Sequence, residues 1–284
     1  MPDQDYLGAY GMARAAFRND IPPKHLYYNR RIEDALGRAK HAARNNGMAL
    51  VIGDSGVGKS TTLRALCDGL PSDQYLKLYL AESKLTPRWL YDRYLGQLGL
   101  SGMYYRGDSK ALLLHEFESI TTNQGKRIVC ILDEAHRLEK DTIEEFRFFL
   151  NNDFDSRSSL SLILCGQTEL WTDKLRMKSY TAIRDRITQY IVLKPLDRSE
   201  MADYIDVELD YAGGRKDLFT DKALDIIYTA TGGVPRQINM FCNLLLQYGA
   251  QNNKRVLDDH DAGAIASNEM PFSAFYGDDI ASKE

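Results

Sequence analysis

The sequence predicts an α/β fold, in which a parallel five-stranded sheet is flanked by helices and is followed by a smaller helical domain. Strand-like apolar runs alternate with helical periods as far as residue 195, and none follows. The runs 127–132 and 160–165 are apolar on both faces, which is typical of central parallel strands. A length of 284 residues exceeds the usual size of one hydrophobic core.

The elements follow from local patterns in chain order. Residues 1–28 combine scattered aromatics with Gly and a Pro-Pro pair, which predicts an extended segment packing on the core domain. The core domain is predicted at 29–195, with strands at 48–52, 75–80, 127–132, 160–165 and 190–193. Between them, helical periods or helix-start signals predict helices at 29–44, after residue 58, and at 87–98, 109–121 and 141–152.

The region 196–267 is predicted to be a helical lid domain. Its helices are predicted at 199–212, with Ser199 as the N-cap, at 220–231, at 235–251 and, as a short one, at 261–267. The acidic, aromatic stretch 268–284 is predicted to be a tail. A loose tail and a docking peptide are both compatible with its composition.

A glycine-rich motif joins the first strand to the following helix. Residues 53–60 read Gly-Asp-Ser-Gly-Val-Gly-Lys-Ser and match the pattern G-x-x-x-x-G-K-[ST]. Glycines let successive N–H groups turn inward around an anion, Lys59 would reach the β- and γ-phosphates, and Ser60 would bind Mg²⁺. The alternative is a turn without a ligand. We predict nucleotide binding by Gly53, Asp54, Ser55, Gly56, Val57, Gly58, Lys59, Ser60 and Thr61.

Two acids follow the third predicted strand directly. Ligands of parallel sheets bind beyond the carboxyl ends of the strands, so Asp133 and Glu134 are expected beside the same phosphates. Asp133 would hold Mg²⁺, and Glu134 would orient and deprotonate the attacking water. The alternative is a simple helix N-cap. We expect the neighbouring His136 to pack at the surface.

Polar residues follow the fourth predicted strand, and two arginines precede the fifth. Gln167, with Thr168 in reserve, would lie near the γ-phosphate, although a strand-ending turn is the alternative. Arg184 and Arg186 precede the last strand, and pairing with Asp185 would explain an arginine there without any catalytic role.

Composition limits the partners and the compartment. The net charge of −4 excludes a uniformly basic surface, so nucleic acid would need a local patch such as 84–110, which holds five Lys/Arg and two Asp/Glu. The four cysteines form no C-x-x-C pair and predict thiols in a reducing compartment. A polar start and the lack of an apolar run of ~18 residues predict a cytoplasmic protein without a membrane partner.

Several motifs together resemble those of the AAA+ ATPases. They are Tyr10-Gly11 with Phe17, residues 53–61, 132–136, 166–170, Arg186-Ile187, 218–220 and 232–239. More narrowly, the chain is similar to the ExeA-like branch and to the transposition ATPases of the TnsC, TniB and MuB kind. Ala16-Phe17 departs from the Pro-Phe of that branch.

The resemblance implies ATP and Mg²⁺ as cofactors and a site shared between subunits of a homo-oligomer, either a ring or a filament. Gln167 would occupy the sensor-1 position, and Arg236 the sensor-2 position in contact with the nucleotide. Arg186 would be the arginine finger, with Arg184 as its substitute.

The transposition relatives polymerise with ATP along duplex DNA, contact its backbone, recruit or activate a transposase, and are released by hydrolysis. The resemblance implies this function here, with a transposase and a target-selection protein as partners. The matching DNA-facing residues are Lys84, Thr86, Arg88, Tyr104, Tyr105 and Arg106, and an ordinary exposed helix and loop is the alternative. Alternative functions are an ExeA-like secretion or signalling ATPase that binds only proteins, and a replication-initiator-like ATPase.

Overall fold

The computed structural model describes residues 5–82, 85–149, 158 and 160–268. These residues group into two compact units. One, here called the sheet unit, contains residues 30–55 and 59–193. The other, here called the helical unit, contains the chain up to Asn29, residues 56–58 and the chain from Lys194 onwards.

The sheet unit contains the predicted parallel five-stranded sheet, which is confirmed. The strands are β1 (Met48–Ile52), β2 (Tyr75–Leu80), β3 (Arg127–Leu132), β4 (Leu160–Gly166) and β5 (Ile187–Val192). Their order is β2-β3-β4-β1-β5, and every neighbouring pair is parallel. All the carboxyl ends therefore lie along one edge, where the motifs at 53–60, 133–134 and 167–168 begin.

β5 is longer at its start than the predicted strand 190–193. It is an edge strand whose side chains alternate between buried and more exposed positions, and Thr188 and Gln189 lie in its first half. A search for continuous apolar runs therefore misses its beginning.

Helices cover both faces of the sheet. α2 (Arg30–Arg44) packs on β1, β4 and β5, α4 (Pro87–Gln97) packs on β2, and α5 (Arg106–Asn123) packs on β3. The helices of this unit are α2, α3 (Lys59–Asp68), α4 (Pro87–Gln97), α5 (Arg106–Asn123), α6 (Lys140–Phe149) and α7 (Thr181–Arg184). α5 begins three residues before the predicted 109, and Asp108 lies favourably in its first turn. Positions 150–152 of the helix predicted at 141–152 lie outside the described residues.

The helical unit contains α8 (Arg198–Ala212), α9 (Asp221–Thr231), α10 (Pro235–Gln251) and α11 (Asp259–Asn268). The predicted N-cap of α8, Ser199, is wrong. Asp197 accepts a hydrogen bond from Glu200 N at 2.9 Å, and the Glu200 side chain accepts one from Asp197 N at 3.0 Å. This reciprocal pair is a capping box and moves the helix start to Arg198. The predicted tail 268–284 lies almost wholly outside the described residues.

The N-terminal segment also belongs to the helical unit. It contains a short helix, α1 (Asp5–Tyr10), where the sequence predicts extended chain on the core domain. Tyr6, Met12 and Phe17 are buried in the apolar cluster formed by α8, α9 and α10. The segment therefore contributes to the core of the helical unit.

Phe17 is held in a left-handed backbone conformation, with φ of 55°. Its N–H donates to the buried carboxylate of Glu208 on α8 at 3.0 Å, and its carbonyl accepts from Asn243 Nδ2 on α10 at 3.3 Å. Two side chains of the helical bundle thus satisfy the backbone of one residue. This accounts for the fixed path of the segment despite its irregular sequence.

Among the residues that the structure describes, no helix combines the length and the apolar composition that a bilayer span requires. Cys130, Cys165 and Cys242 are buried thiols, and Cys67 is partly buried.

Candidate functional site

The turn after β1 has the backbone conformation that its motif predicts. Gly56 and Gly58 have φ of 83° and 97°, in a region that residues with a Cβ rarely adopt. α3 begins directly after them, at Lys59. The amino end of a helix that follows such a turn is suited to anions, because its first N–H groups have no partners within the helix.

Lys59 is only 7% exposed, and its side chain folds back over this turn. Its Nζ donates to the carbonyl oxygens of Gly53 and Asp54, each at 2.8 Å. A buried ammonium held by neutral carbonyls is a strong attractor for an anion, because two carbonyl dipoles do not neutralise a full charge.

Asp133, directly after β3, meets the first turn of α3. It is 4% exposed. Its Oδ2 accepts from Ser60 Oγ at 2.9 Å and from Tyr79 OH at 3.0 Å, and its Oδ1 accepts from Glu134 N at 2.9 Å. The structure thus brings together the two predicted Mg²⁺ ligands, Ser60 and Asp133. Sequence reasoning missed Tyr79.

The chemistry of this pair fits Mg²⁺. The ion prefers oxygen ligands and is usually held by one or two side chains together with substrate phosphates and water. Ser60 Oγ and Asp133 Oδ2 are two such oxygens at contact distance. Within the described ranges, no group of three or more His, Cys, Asp or Glu forms a self-contained metal cage. A site completed by phosphate oxygens is consistent with both observations.

Glu134 has a left-handed backbone, with φ of 54°. Its carboxylate lies 3.5 Å from Arg137 Nε and 3.8 Å from His136 Nε2, and the side chain is partly exposed. Although it precedes a short 3₁₀ helix (Ala135–Arg137), its side chain makes no capping bond. The alternative explanation as an N-cap is therefore wrong for Glu134. The unusual φ is of the kind that persists where surrounding contacts determine the conformation.

His136 connects the ends of β3 and β4, where the sequence suggested only surface packing. Its Nδ1 accepts from Gln167 N at 3.3 Å, so the ring proton is on Nε2, facing Glu134. Burial lowers the pKa of His136, which keeps the ring neutral at pH 7. A neutral histidine thus lies between the predicted catalytic carboxylate and the predicted sensor.

The end of β4 also reaches the glycine-rich turn. Thr168 Oγ1 donates to Asp54 Oδ1 at 2.9 Å. The reserve candidate, Thr168, therefore makes a direct side-chain contact with the turn, while Gln167 contacts His136 through its backbone. Both remain candidates for the sensor-1 position.

Arg184 and Arg186 are both engaged with nearby backbone. Arg184 Nη1 donates to the carbonyl oxygens of Leu175 and Arg176 at 3.2 Å each, at the end of a π-helix (Leu170–Leu175) that the sequence did not predict. Arg186 Nη1 donates to Ala182 O at 2.6 Å. Because both guanidinium groups bind backbone carbonyls, these contacts do not separate Arg184 from Arg186, and the finger role of Arg186 stays a prediction.

In the helical unit, Arg236 lies in the first turn of α10. Its backbone N–H donates to Gly56 O at 3.2 Å. A Cβ added to Gly56 would approach Arg236 Cβ to 2.9 Å. Glycine at 56 is therefore required by close packing as well as by φ. The predicted sensor-2 role of the Arg236 side chain stays a prediction.

The predicted DNA-facing residues of α4 lie at its start. Thr86 is the N-cap and accepts from Trp89 N at 3.4 Å, so its hydroxyl already has a structural role. Arg88 is exposed and 3.9 Å from Asp92, too far for a strong ion pair. Trp89 is exposed, with Arg93 stacked on its ring. Lys84 lies outside the described residues.

The predicted DNA-facing residues at the start of α5 differ in how far they are exposed and in the contacts that they already make. Tyr104 and Tyr105 are 80% and 67% exposed, and their rings meet edge to face. Arg106 donates from Nη2 to the buried Glu145 at 2.9 Å, although its side chain remains half exposed. Lys110 and Tyr91 bind the same carboxylate. A phosphate at Arg106 would therefore share the guanidinium with Glu145.

Comparisons with known proteins agree with this geometry. Residues 42–172 match the family model of the AAA domain. The general secretion pathway protein A of Aeromonas hydrophila is 30% identical over 246 residues, or 85% of this chain. The chain spans 44% of the length of that relative.

Solved structures of low identity show the fold. The ORC2 protein of Aeropyrum pernix, solved as ADPNP-ADP complexes, is 12% identical with a TM-score of 0.67, over 89% of this chain and 71% of that one. The ORC1 protein of the same organism, in complex with DNA, is 12% identical with a TM-score of 0.64, over 89% of this chain and 68% of that one. The chain therefore shares the α/β fold of these structures, and its residues 42–172 are similar to an AAA domain.

Proposed function

We propose that this chain, in which residues 42–172 match the AAA domain model, is a Mg²⁺-dependent ATPase acting as a switch on duplex DNA. With ATP it would oligomerise along DNA and recruit or activate a transposase, and hydrolysis would disassemble it. The observation that carries the ATPase proposal is the 2.9 Å contact between Ser60 and Asp133, next to the buried ammonium of Lys59. Such a cluster matches the requirements of phosphoryl transfer.

The residues would divide the chemistry among them. Lys59 would exchange the Gly53 and Asp54 carbonyls for phosphate oxygens, which carry full charge and bind it more strongly. Ser60 and Asp133 would hold Mg²⁺, which supplies charge neutralisation at the phosphates when bound. Glu134, partly exposed and supported by Arg137, would accept the proton of the attacking water.

The oligomeric part of the proposal concerns Arg186. An arginine supplied to a neighbouring subunit's nucleotide stabilises charge in the transition state and can be worth about 10³-fold or more in rate. Arg186 Nη1 is bound to a backbone carbonyl at 2.6 Å, and such a neutral acceptor can be replaced by a phosphate. The site would then be complete only in a homo-oligomer, either ring or filament.

The DNA part of the proposal is supported by the surface made of Arg88, Trp89, Tyr104, Tyr105 and Arg106. It combines exposed aromatics with cations. Contacts of this kind bind phosphates without sequence preference. The fold shared with a DNA-bound ORC1 structure is consistent with this proposal.

The ATPase proposal is tested with two variants. Lys59→Ala should abolish binding of a fluorescent ATP analogue. Glu134→Gln should bind the analogue normally, with hydrolysis reduced at least about a hundredfold, because the general base is lost. Glu139→Gln, which removes an exposed carboxylate five residues further on, is the control and should hydrolyse ATP as the unchanged chain does. Unchanged turnover in Glu134→Gln would refute the assignment.

Two other functions remain candidates. Identity to the general secretion pathway protein A favours an ATPase that binds only protein partners, and the fold shared with ORC proteins is compatible with a replication-initiator-like ATPase. Measuring DNA affinity as a function of salt concentration separates the protein-only function from our proposal. A steep decrease of affinity with salt in the presence of ATP supports DNA binding, and no binding supports the protein-only function. A second assay measures DNA strand transfer by a purified cognate transposase. An increase when this protein is added supports a role in transposition over a role in replication initiation.

A further inference from the structure

Gln97, the last residue of α4, binds the edge of the sheet through its side chain. Its Nε2 donates to Tyr79 O at 2.8 Å, and its Oε1 accepts from Tyr79 N at 3.1 Å. β2 is an edge strand, so this N–H and C=O face away from β3 and have no strand to pair with. The amide of Gln97 replaces the missing strand at this one residue and fixes the backbone of Tyr79.

The ring of Tyr79 lies on the face of β2 opposite to the buried Leu78 and Leu80. Lys77, on the same face, donates to the carbonyl oxygens of Cys67 and Leu70 at the carboxyl end of α3 and the turn that follows. Tyr79 reaches the other end of the same helix, since its hydroxyl and Ser60 Oγ bind the same oxygen of Asp133. Lys77 thus binds the carboxyl end of α3 directly, and Tyr79 shares the Asp133 carboxylate with the first turn of that helix.

The Tyr79 hydroxyl is suited to act as a donor. It donates to Asp133 Oδ2 at 3.0 Å, and a phenol carries its proton at physiological pH because its ordinary pKa is about 10. Tyr79 as a residue is 43% exposed. The hydroxyl is the only part that reaches the carboxylate. A partly exposed aromatic ring with a directed hydroxyl contributes less to the core than to the orientation of its partner.

We propose that Tyr79 is a positioning residue for the metal-binding carboxylate of Asp133, and that Gln97 holds Tyr79 in place. The inference rests on the proposed ATPase function, because it assumes that Asp133 binds Mg²⁺. The carboxylate of Asp133 accepts hydrogen bonds from Ser60 Oγ, from Glu134 N and, from the edge strand β2, from the Tyr79 hydroxyl. Hydrogen-bond partners that orient a metal ligand commonly affect metal affinity or activity by about 10–100-fold.

The test measures equilibrium binding of a fluorescent ATP analogue by the full chain carrying Glu134→Gln, so that hydrolysis does not interfere. Affinity is measured in EDTA and then as a function of Mg²⁺ concentration. Tyr79→Phe should leave affinity in EDTA unchanged and raise the Mg²⁺ concentration for half-maximal effect about tenfold. Tyr75→Phe removes a hydroxyl from the other end of β2, away from Asp133, and should change neither value.

Gln97→Ala provides the second arm. In the chain that carries Glu134→Gln, this substitution should raise the Mg²⁺ concentration for half-maximal effect. It should add nothing when combined with Tyr79→Phe, because both substitutions act through one hydroxyl. If Mg²⁺ does not change nucleotide binding by the parent protein, the proposed function is wrong and this inference falls with it. If Mg²⁺ does change nucleotide binding by the parent protein, but Tyr79→Phe and Gln97→Ala need the same Mg²⁺ concentration as the parent, only the positioning role is refuted.

Discussion

Glu208 should make the stability of the helical unit depend on pH in the direction opposite to most carboxylates. It is 3% exposed on α8, and its neighbours are Tyr204, Cys242 and the backbone N–H of Phe17. Burial raises the pKa of Glu208 from 4.5 to about 7, against the lowering effect of the hydrogen bonds from Tyr204 and Phe17. The folded state therefore holds this proton more tightly than the unfolded state does.

The consequence is a loss of stability as pH rises. Between about pH 4.5 and pH 7 the unfolded chain releases the proton while the folded chain keeps it, so the free energy of unfolding decreases. Each pKa unit corresponds to about 1.4 kcal/mol, which gives about 3 kcal/mol over the whole interval. In hydrogen exchange, the same free energy is about a hundredfold change in protection.

Glu208→Gln should remove this dependence, since the amide oxygen can still accept from Phe17 N and nothing titrates. The measurement is hydrogen exchange of peptides covering α8 and residues 12–18 at pH 5, 6, 7 and 8, corrected for the intrinsic pH dependence of exchange. Asp203→Asn, on the exposed face of the same helix, is the control and should follow the wild type. Equal pH dependence in Glu208→Gln and wild type would refute the role of the buried carboxyl.

Three further predictions concern local geometry. Gly58→Ala should lower ATP affinity at least about tenfold, because a Cβ at φ 97° costs about 1–3 kcal/mol even though no neighbouring atom obstructs it; retained binding in a fluorescence titration would contradict this. Thr168→Val should lower ATP affinity about fivefold through loss of the hydrogen bond to Asp54, and Thr168→Ser should restore it in the same assay. Asp197→Ala should destabilise the helical unit by about 1 kcal/mol in thermal unfolding, with Ser199→Ala near neutral; the reverse order would restore Ser199 as the cap.

The fold was predictable where one local signal determines one element. Apolar runs predicted the four strands β1 to β4. The Val-Pro pair after two glycines predicted the start of α10 at Pro235. β5 and α8 show the limit. The polar first half of an edge strand escapes a search for apolar runs, whereas the start of α8 was available from the sequence, as Asp197 and Glu200 form the capping-box spacing.

The site was predictable only as far as its motifs extend. Sequence order and the parallel sheet brought Lys59, Ser60 and Asp133 to one edge. Tyr79 could not be found in this way, because its role depends on which strand lies beside β3 and which face its ring occupies. His136 needed the distance between the ends of β3 and β4, which no spacing along one strand provides.

These two missed residues share a physical feature that bears on how the site would respond to change. Each lies beside a predicted catalytic acid. Tyr79 donates from β2 to Asp133, whereas His136 Nε2 lies 3.8 Å from Glu134 and His136 Nδ1 accepts from Gln167 N after β4. Asp133 and Glu134 are consecutive, and the N–H of the second binds the carboxylate of the first. A displacement of one carboxylate is therefore transmitted to the other through a single peptide unit. Substitutions at Tyr79 and His136 should accordingly be non-additive in hydrolysis.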